Sequence, residues 1–250
     1  MIPTEARQRA AALQLHGVLA PWAECAEQPW LVPLLSWEET ERARRSLERR
    51  LRCAPIGRFK PLADFDGSWP QQCDQRAIAE LMTLDFLDSA SNAILIGSSG
   101  LGKTMMAQNI APQAVLQGRT VLFATAGQLL GERASLDSDS ALRYRLRRYA
   151  APDLLVIDEV GYLSYSNRHA DLLFELISRR HEKKSTLITT NKAFSEGSEV
   201  FPGASCVVAM IDRLVHHAEI LSIKGDSYRR KEAQERAVAK SRKRKAKESP

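Results

Sequence analysis

Hydrophobic residues beyond position 90 fall into short continuous runs, separated by stretches with helical periodicity. The runs predict five strands, at 93–96, 120–124, 154–157, 185–190 and 218–223. Helical period lies between them, most clearly at 103–117 and 168–180. Because strands that alternate with helices form right-handed crossovers, the pattern predicts an α/β fold in which helices cover both faces of a parallel five-stranded sheet.

The N-terminal part has a different pattern and is predicted to be helical. One helix is expected from Thr4 to about Glu27, with a break across Pro29–Pro33. Ser36 and Glu39 match the S-x-x-E capping pattern, which predicts a second helix from Trp37 to about Cys53. That helix carries six arginines and four glutamates, a mixture typical of a solvated face, with DNA contact as the alternative.

The segment 54–72 is rich in Pro, Gly and Asp and is predicted to be a connector, after which helical period returns at 75–88. The sequence therefore predicts a helical N-terminal domain at 1–58, a connector and helix at 59–90, an α/β core at 91–230 and a basic tail at 231–250.

A chain of 250 residues has room for one α/β core and an accessory region. No stretch reaches the about 18 apolar residues of a membrane-spanning helix, and the first residues lack a signal-peptide layout, so a cytoplasmic protein without membrane contact is expected. The four cysteines are far apart and are expected to be free thiols. The five histidines, including the adjacent His216 and His217, show no metal-ligand spacing.

The net charge of +6 is concentrated at the C-terminus. Residues 229–250 contain ten Lys or Arg and three Glu, a balance of +7, so the rest of the chain sums to −1. Such a segment cannot bury enough apolar surface to order itself and is expected to be mobile. Its partners would be polyanions such as the DNA backbone, unless it acts only as a solubilising tail.

A phosphate-binding motif lies between the first predicted strand and the helix that follows it. The pattern G-x-x-x-x-G-K-[ST] is formed by Gly97, Ser98, Ser99, Gly100, Leu101, Gly102, Lys103 and Thr104, and Met105 follows it. Glycines let backbone N–H groups curl around phosphate oxygens at the start of a helix. Lys103 is expected to neutralise β- and γ-phosphate charge, and the Thr104 hydroxyl suits Mg²⁺. The motif predicts binding of ATP and Mg²⁺.

The run at 154–157 ends in two acids, Asp158 and Glu159. A buried parallel strand presents such acids at its carboxyl edge, where ligands of α/β sheets bind. Asp158 is expected to hold Mg²⁺ through water and Glu159 to polarise the attacking water as general base, which favours ATP hydrolysis over small-molecule kinase chemistry. Asn191 follows the next strand and is expected to hold that water or sense the γ-phosphate.

The order of these motifs resembles the AAA+ ATPases of the helicase-loader group, most closely the IstB family of transposition helper proteins. The likeness extends from about Leu13 to Arg229 and is carried by strings at Leu15–Gly17, Leu62–Asp66, Ile157–Tyr162, Phe194–Glu196, Val200–Phe201, Asp212–His217 and Gly225–Arg229. The last two strings are the most specific to the family. The resemblance implies an AAA+ fold for the core.

The resemblance also implies roles for two arginines. Arg213 corresponds to an arginine finger that reaches the γ-phosphate held by a neighbouring subunit, and Arg229 to a second phosphate-sensing arginine. Family members form homo-oligomers, rings or helical filaments, that assemble on DNA, deform it, and recruit or stimulate a cognate transposase, and the same is expected here. Binding to double-stranded DNA is expected to be largely independent of sequence, because nothing in this chain resembles a base-reading helix. The chain departs from the family pattern in Ser98 for proline, Gly197 for tryptophan, and a longer tail beyond Lys231.

The residues that contact DNA are the least defined. Basic and aromatic residues interleave at Arg143, Tyr144, Arg145, Arg147, Arg148 and Tyr149. This pattern suits phosphate contact and stacking, and equally a solvated helix face. Three other functions stay open at this point: a helicase loader of the DnaC type, a stand-alone P-loop kinase or small-molecule NTPase, and a DNA clamp gated by nucleotide binding.

Overall fold

The computed structural model describes residues 3–67, 69–131, 139–161, 167–193, 200–201, 205–234 and 236–237. Tyr162, the string from Phe194 to Gly197 and the tail after position 237 lie outside the described residues. The chain divides into two compact units, Met1–Arg52 and Cys53–Pro250. Among the residues described, no helix has the length and apolar character needed to cross a membrane. The four cysteines are free thiols, as expected.

The first unit is helical, but its helices differ from those predicted. α1 (Pro3–Ala12), α2 (His16–Leu19) and α3 (Trp22–Cys25) occupy the region for which the sequence predicts one helix. That prediction is wrong for two physical reasons. Gln14 has a φ of 53°, which does not continue a right-handed helix. Pro21, directly before α3, lacks the N–H that a continuous helix requires.

α4 (Leu31–Cys53) also begins earlier than predicted. The expected break is present at Pro29, but it ends before Leu31 and does not extend to Pro33. Pro33 lies in the first turn of α4, where a backbone N–H has no intrahelical acceptor, and proline therefore removes no hydrogen bond. A small hydrophobic core explains why the helix extends this far, because Leu31 and Leu35 are fully buried against α1.

The capping pattern at Ser36 and Glu39 does not start a helix, because both residues lie inside α4. The Ser36 hydroxyl donates to the carbonyl of Val32 (3.1 Å). Glu39 accepts two hydrogen bonds from the guanidinium of Arg9 (2.8 and 2.7 Å). Three arginines of α4 pair with glutamates three or four positions away, as on a solvated helix face: Arg42, Arg44 and Arg45.

The second unit begins with the connector and two helices, α5 (Gln75–Thr83) and α6 (Asp85–Asp88). Asp74 caps α5 by accepting from the backbone N–H groups of Arg76 (2.9 Å) and Ala77 (3.1 Å). The sequence predicts one helix over 75–88, and this is wrong because Leu84 has a φ of 71°. Burial of the Leu84 side chain, which is 3% exposed, holds the chain in that conformation.

The rest of the unit alternates strands and helices, and it confirms the predicted α/β class. The elements are β1 (Asn92–Gly97), α7 (Lys103–Leu116), β2 (Val121–Thr125), α8 (Ala126–Gly131), α9 (Asp139–Ala150), β3 (Leu154–Val160), α10 (Asn167–Arg180), β4 (Ser185–Thr190), α11 (Val207–Val215) and β5 (Ala218–Ile223). The strands form one parallel sheet in the order β2-β3-β4-β1-β5. The carboxyl ends of β1, β3 and β4 therefore lie side by side.

Helices cover both faces of the sheet. Alternate strand residues, among them Ile94, Ile157 and Ile188, join a hydrophobic cluster with residues of α8, α9, α10 and α11. The intervening strand residues face the other way, where α7 packs against β1, β2, β3 and β4 and buries Met106 and Ile110. A sheet that is apolar on both faces explains why its strands appear in the sequence as continuous hydrophobic runs.

Candidate functional site

The phosphate-binding motif forms a tight turn between β1 and α7. Gly100 and Gly102 have φ values of 83° and 90°, which L side chains rarely adopt. A Cβ on Gly97 would lie 2.4 Å from the carbonyl oxygen of Ile223, and one on Gly100 would lie 2.2 Å from the hydroxyl of Ser227. The glycines are therefore required by backbone conformation and by space, and they keep the turn narrow enough to surround a phosphate.

Lys103 lies within this turn. Its Nζ donates to the carbonyls of Gly97 (2.6 Å) and Ser98 (2.8 Å), and the residue is buried. Burial lowers the pKa of Lys103, the positive charge of Arg229 acts in the same direction, and the negative charge of Asp158 opposes both. Two carbonyls are weak partners for a desolvated ammonium, so an anionic phosphate would be a better one.

Thr104 and Asp158 bring two hard oxygen groups together. The Thr104 hydroxyl donates to Asp158 Oδ1 over 3.1 Å, and Asp158 is 3% exposed. A third residue supports them, since the Thr189 hydroxyl of β4 donates to the same Asp158 oxygen. Hydroxyl and carboxylate oxygens are the ligands that Mg²⁺ prefers, so the donor set fits this ion.

An irregularity in β3 separates the roles of its two acids. The pairing of β3 with β4 shifts register between Ile157 and Val160, and Glu159 has a φ of 64° within that interval. The backbone N–H of Glu159 donates to the Thr189 hydroxyl (3.0 Å), which fixes the bulge. Asp158 is therefore buried toward Thr104, while Glu159 is exposed beyond the strand end.

Asn191 follows β4 and lies beside the end of β3, because its Oδ1 is 3.2 Å from where a Cβ on Gly161 would stand. That Oδ1 is buried and has no hydrogen-bond partner among the described residues. A buried amide oxygen without a partner is costly, and a water or ligand donor would remove the cost.

A cavity of about 540 Å³ opens beside the turn. Residues 100–105 form one side, and the other side is formed by Arg58, Phe59, Phe65, Trp69, Tyr228 and Arg229, among others. Phe65 packs against Gly102, and the Tyr228 N–H donates to the carbonyl of Gly100 (3.0 Å), so connector and C-terminal residues are fixed to the turn. The size and aromatic lining suit a nucleoside next to phosphates.

The sequence interpretation missed most of this second wall, as well as Thr189. The connector was predicted from its Pro and Gly content, but three aromatic residues within it carried a signal, since a plain linker has no use for Phe59, Phe65 and Trp69. Thr189 had no signal, because a threonine within an apolar strand is common. Of the implied arginines, Arg229 lines the cavity.

Arg213 lies elsewhere. It is in the last turn of α11, it is not part of the cavity wall, and its guanidinium stacks on the ring of Phe174 at 4.6 Å. Within the described part of the chain, Nη1 of Arg213 is buried and has no hydrogen-bond partner. The structure thus brings Lys103, Thr104, Asp158 and Arg229 together and leaves Arg213 apart from them.

The basic and aromatic segment before β3 forms α9. Tyr144 is 74% exposed, whereas Tyr149 is 3% exposed and belongs to the hydrophobic cluster under the sheet. Tyr149 therefore cannot stack on a base, and this part of the predicted DNA-contact pattern is wrong. The exposed face keeps Arg143, Tyr144, Arg147 and Arg148.

The parallel sheet, the glycine turn at the start of α7 and the Asp158 carboxylate define a P-loop protein with the AAA+ fold. A family model described as "IstB-like ATP binding protein" matches residues 8–236. The chain belongs to this family, which confirms the resemblance inferred from its motifs, and it is an ATP-binding protein of the insertion-sequence type.

Curated relatives agree with this assignment. The ATP-binding protein of insertion sequence IS5376 from Geobacillus stearothermophilus is 36% identical over 203 residues, which cover 81% of each chain. The corresponding protein of insertion sequence IS21 from Pseudomonas aeruginosa is 35% identical over 209 residues, which cover 84% of this chain and 79% of the relative.

Solved structures show the same fold at low sequence identity. The DnaI structure has a TM-score of 0.52 and 20% identity, and the match covers 72% of this chain and 92% of DnaI. A replication initiator DnaA, bound to AMPPCP and single-stranded DNA, has a TM-score of 0.52 and 17% identity over 65% of this chain and 52% of DnaA.

Proposed function

We propose that this protein is a Mg²⁺-dependent ATPase that oligomerises on double-stranded DNA and recruits or stimulates the transposase of its insertion sequence. The observation that carries the proposal is the arrangement at the carboxyl edge of the sheet, where Lys103, Thr104 and Asp158 surround one narrow turn and Glu159 projects beyond them. Family membership supplies the insertion-sequence context.

ATP hydrolysis is supported by the different surroundings of Asp158 and Glu159. Mg²⁺, when bound, would neutralise charge on the phosphates. Asp158 is buried and already committed to Thr104 and Thr189, so it can only hold a ligand in place. Glu159 is exposed and its backbone is fixed, which suits a base that accepts a proton from water. The unpartnered Oδ1 of Asn191 suits a group that orients this water.

Oligomerisation is supported by the position of Arg213. Arg213 is only half-buried and lies outside the wall of its own cavity, so its guanidinium is suited to complete the site of another subunit. The guanidinium stacks on Phe174, so contact with a γ-phosphate across an interface would replace no internal salt bridge in the described residues. ATP binding and assembly would then be one event.

DNA binding is supported by charge. Exposed arginines of α9 lie on one helix face, and the C-terminal sequence adds a balance of +7 over 229–250. Phosphate contacts of this kind are largely independent of sequence and weaken with salt. DnaA, which has a similar fold, is described as bound to single-stranded DNA, and this supports nucleic acid as a partner.

The decisive experiment measures molecular mass and DNA retention of the full chain with ATP, with ADP and without nucleotide. We expect a large complex that retains DNA only with ATP. A monomer that ignores DNA under all three conditions would overturn the proposal and favour a stand-alone P-loop enzyme. If assembly and retention follow ATP binding but the protein never turns ATP over, a nucleotide-gated clamp is the better description.

Two variants separate binding from hydrolysis. Glu159→Gln keeps side-chain size and removes the base, so we expect ATP-dependent assembly to persist while hydrolysis falls by about 10²-fold or more. Arg213→Ala should lose both assembly and turnover while a monomer still binds ATP. Co-purification with transposase rather than with a ring helicase distinguishes the proposed function from that of a helicase loader.

A further inference from the structure

Potential metal ligands converge at the edge of the sheet opposite to the P-loop. His181 and Glu182 lie in the turn between α10 and β4, and His216 and His217 lie between α11 and β5. Both turns precede parallel strands, whereas the ATP site is built from segments that follow strands. This cluster is therefore separate from the proposed Mg²⁺ site and does not depend on the proposed function.

The distances centre on one carboxylate oxygen. Glu182 Oε1 lies 3.8 Å from His181 Nε2, 3.8 Å from His216 Nδ1 and 3.9 Å from His217 Nε2. One ligand atom from each of His181, Glu182 and His216 lies within 4.8 Å of the other two. These separations are too long for direct hydrogen bonds. Ligands placed tetrahedrally about 2.1 Å from Zn²⁺ lie about 3.4 Å apart, so small side-chain rotations bring the groups to coordination distance.

The backbone beneath the cluster is fixed from both sides. Arg180, the residue directly before His181, is 1% exposed and hydrogen-bonded on all its side-chain nitrogens. Glu182 has a φ of 57°, a conformation that non-glycine residues adopt only when the surroundings impose it. The carbonyl of His217 accepts from the N–H of Asn92 at the start of β1 (2.7 Å).

We propose that His181, Glu182 and His216 bind one divalent transition-metal ion such as Zn²⁺, with a coordination position left open to solvent. Two imidazoles and one carboxylate form a ligand set that zinc accepts, whereas Mg²⁺ prefers oxygen ligands only. Sequence spacing gave no sign of this site, because its ligands come from two turns 35 positions apart (216 − 181) that the sheet brings together.

The bound ion has a structural consequence. It connects the turn after α10 to the end of α11, and α11 carries Arg213 one turn before His216. The metal therefore restrains the helix that carries Arg213, from the edge of the sheet opposite to the P-loop.

The test uses the full chain, prepared without a histidine tag. Zinc chloride is titrated into it by calorimetry, and Co²⁺ is added separately to record visible d–d absorption. We expect one ion per chain, undisplaced by excess Mg²⁺. His181→Ala, His216→Ala and Glu182→Gln should each weaken binding about tenfold or more. The matched control is His16→Ala, an exposed histidine in the other unit, which should bind zinc as the parent does.

Two results would overturn the site: a parent chain that binds no zinc at micromolar concentrations, or equal affinity in the parent and in Glu182→Gln. The glutamine variant keeps the size of the side chain, so it decides the matter even where a histidine variant fails to fold. Circular dichroism establishes that each variant is folded before its affinity is compared.

Discussion

Buried cations have opposite roles at the two ends of the parallel strands. The carboxyl edge is where the strands end and the P-loop lies, and the amino edge is where the strands begin. Lys103, at the carboxyl edge, donates to two carbonyls of a turn that borders an open cavity. Arg180, at the amino edge, donates to at least six acceptors, and the fold surrounds it completely. The lysine retains hydrogen-bonding capacity that a ligand can use. The arginine has none left, so its role is to hold the chain together.

The partners of Arg180 show what it joins. They are the Thr186 hydroxyl (3.1 Å) and the carbonyls of Tyr149 (3.2 Å), Ala150 (3.0 Å), Pro152 (2.8 Å), Asp153 (3.4 Å) and Ser185. One guanidinium thus provides hydrogen-bond donors to acceptors at the end of α9, in the segment that leads to β3, and at the start of β4. Burial lowers the pKa of Arg180 to about 10, which leaves it charged at neutral pH.

The largest effect is expected for Arg180→Met. It leaves several buried carbonyls without a donor, so the free energy of unfolding should fall by about 3–5 kcal/mol, measured by urea denaturation. ATP affinity of the folded fraction should not change. Arg179→Met is the matched control, because Arg179 pairs only with Glu175 in the described structure and is partly exposed, and its loss should cost at most about 0.5 kcal/mol. Equal losses in the two variants would contradict the structural role.

Lys103→Met should show the reverse behaviour. ATP affinity, measured by calorimetry, should fall about a hundredfold, since hydrogen bonds to charged groups contribute about 1.5–3 kcal/mol each. The free energy of unfolding without nucleotide should stay the same or rise. The folded pKa of Lys103 lies below its unfolded value, so throughout the neutral range its charge opposes folding. A stability loss comparable to that of Arg180→Met would remove the distinction between the two edges.

A third prediction compares two glycines with similar backbone angles. Gly100 has a φ of 83° and lies against Ser227, whereas Gly118, beyond the end of α7, has a φ of 89° and open space around it. Gly118→Ala should cost only backbone strain, about 1 kcal/mol of stability. Gly100→Ala should cost about 1–3 kcal/mol, and it should also reduce ATP affinity because the turn must widen. Equal losses of stability and of ATP affinity in the two variants would show that the close contact between Gly100 and Ser227 does not affect the turn.

The carboxyl edge could be predicted from the sequence, because it consists of short motifs next to continuous apolar strands. Gly97 to Thr104 and the pair Asp158–Glu159 stand where such strands end, and the sheet places them together as expected. What the sequence could not indicate is Thr189, whose role depends on the bulge in β3. A bulge depends on pairing between strands and leaves no local pattern.

The amino edge could not be predicted, because its interactions join residues far apart in sequence. Arg180 appears as one of two arginines at the end of an amphipathic helix, and only tertiary packing shows that it is buried while Arg179 is not. The prediction of the N-terminal helices was wrong for a related reason. Pro33 usually signals a break, but its position within the first turn makes it harmless, and that position is set by packing of Leu31 and Leu35.

The smallest predicted effect concerns a carboxylate at the amino edge. Asp153 is partly buried, which raises its pKa. The hydrogen bonds that Lys184 and Thr120 donate to its carboxylate together have the larger effect and lower the pKa to about 2. Because the folded pKa lies below the unfolded one, Asp153 contributes stability above about pH 4, and this is lost as pH falls toward about 2. Asp153→Asn should therefore reduce the free energy of unfolding at neutral pH by about 1 kcal/mol, after allowance for partial exposure.

Melting temperatures of parent and Asp153→Asn, measured from neutral pH down to the lowest pH at which both fold, test this directly. The difference between them should stay constant above about pH 4 and narrow below it. A gap that persists unchanged in acid would mean that Asp153 acts through its shape and neutral hydrogen bonds to Thr120 (2.7 and 2.9 Å). The charge of Asp153 would then contribute nothing to stability, and the contrast between the two ends of the sheet would rest on Lys103 and Arg180 alone.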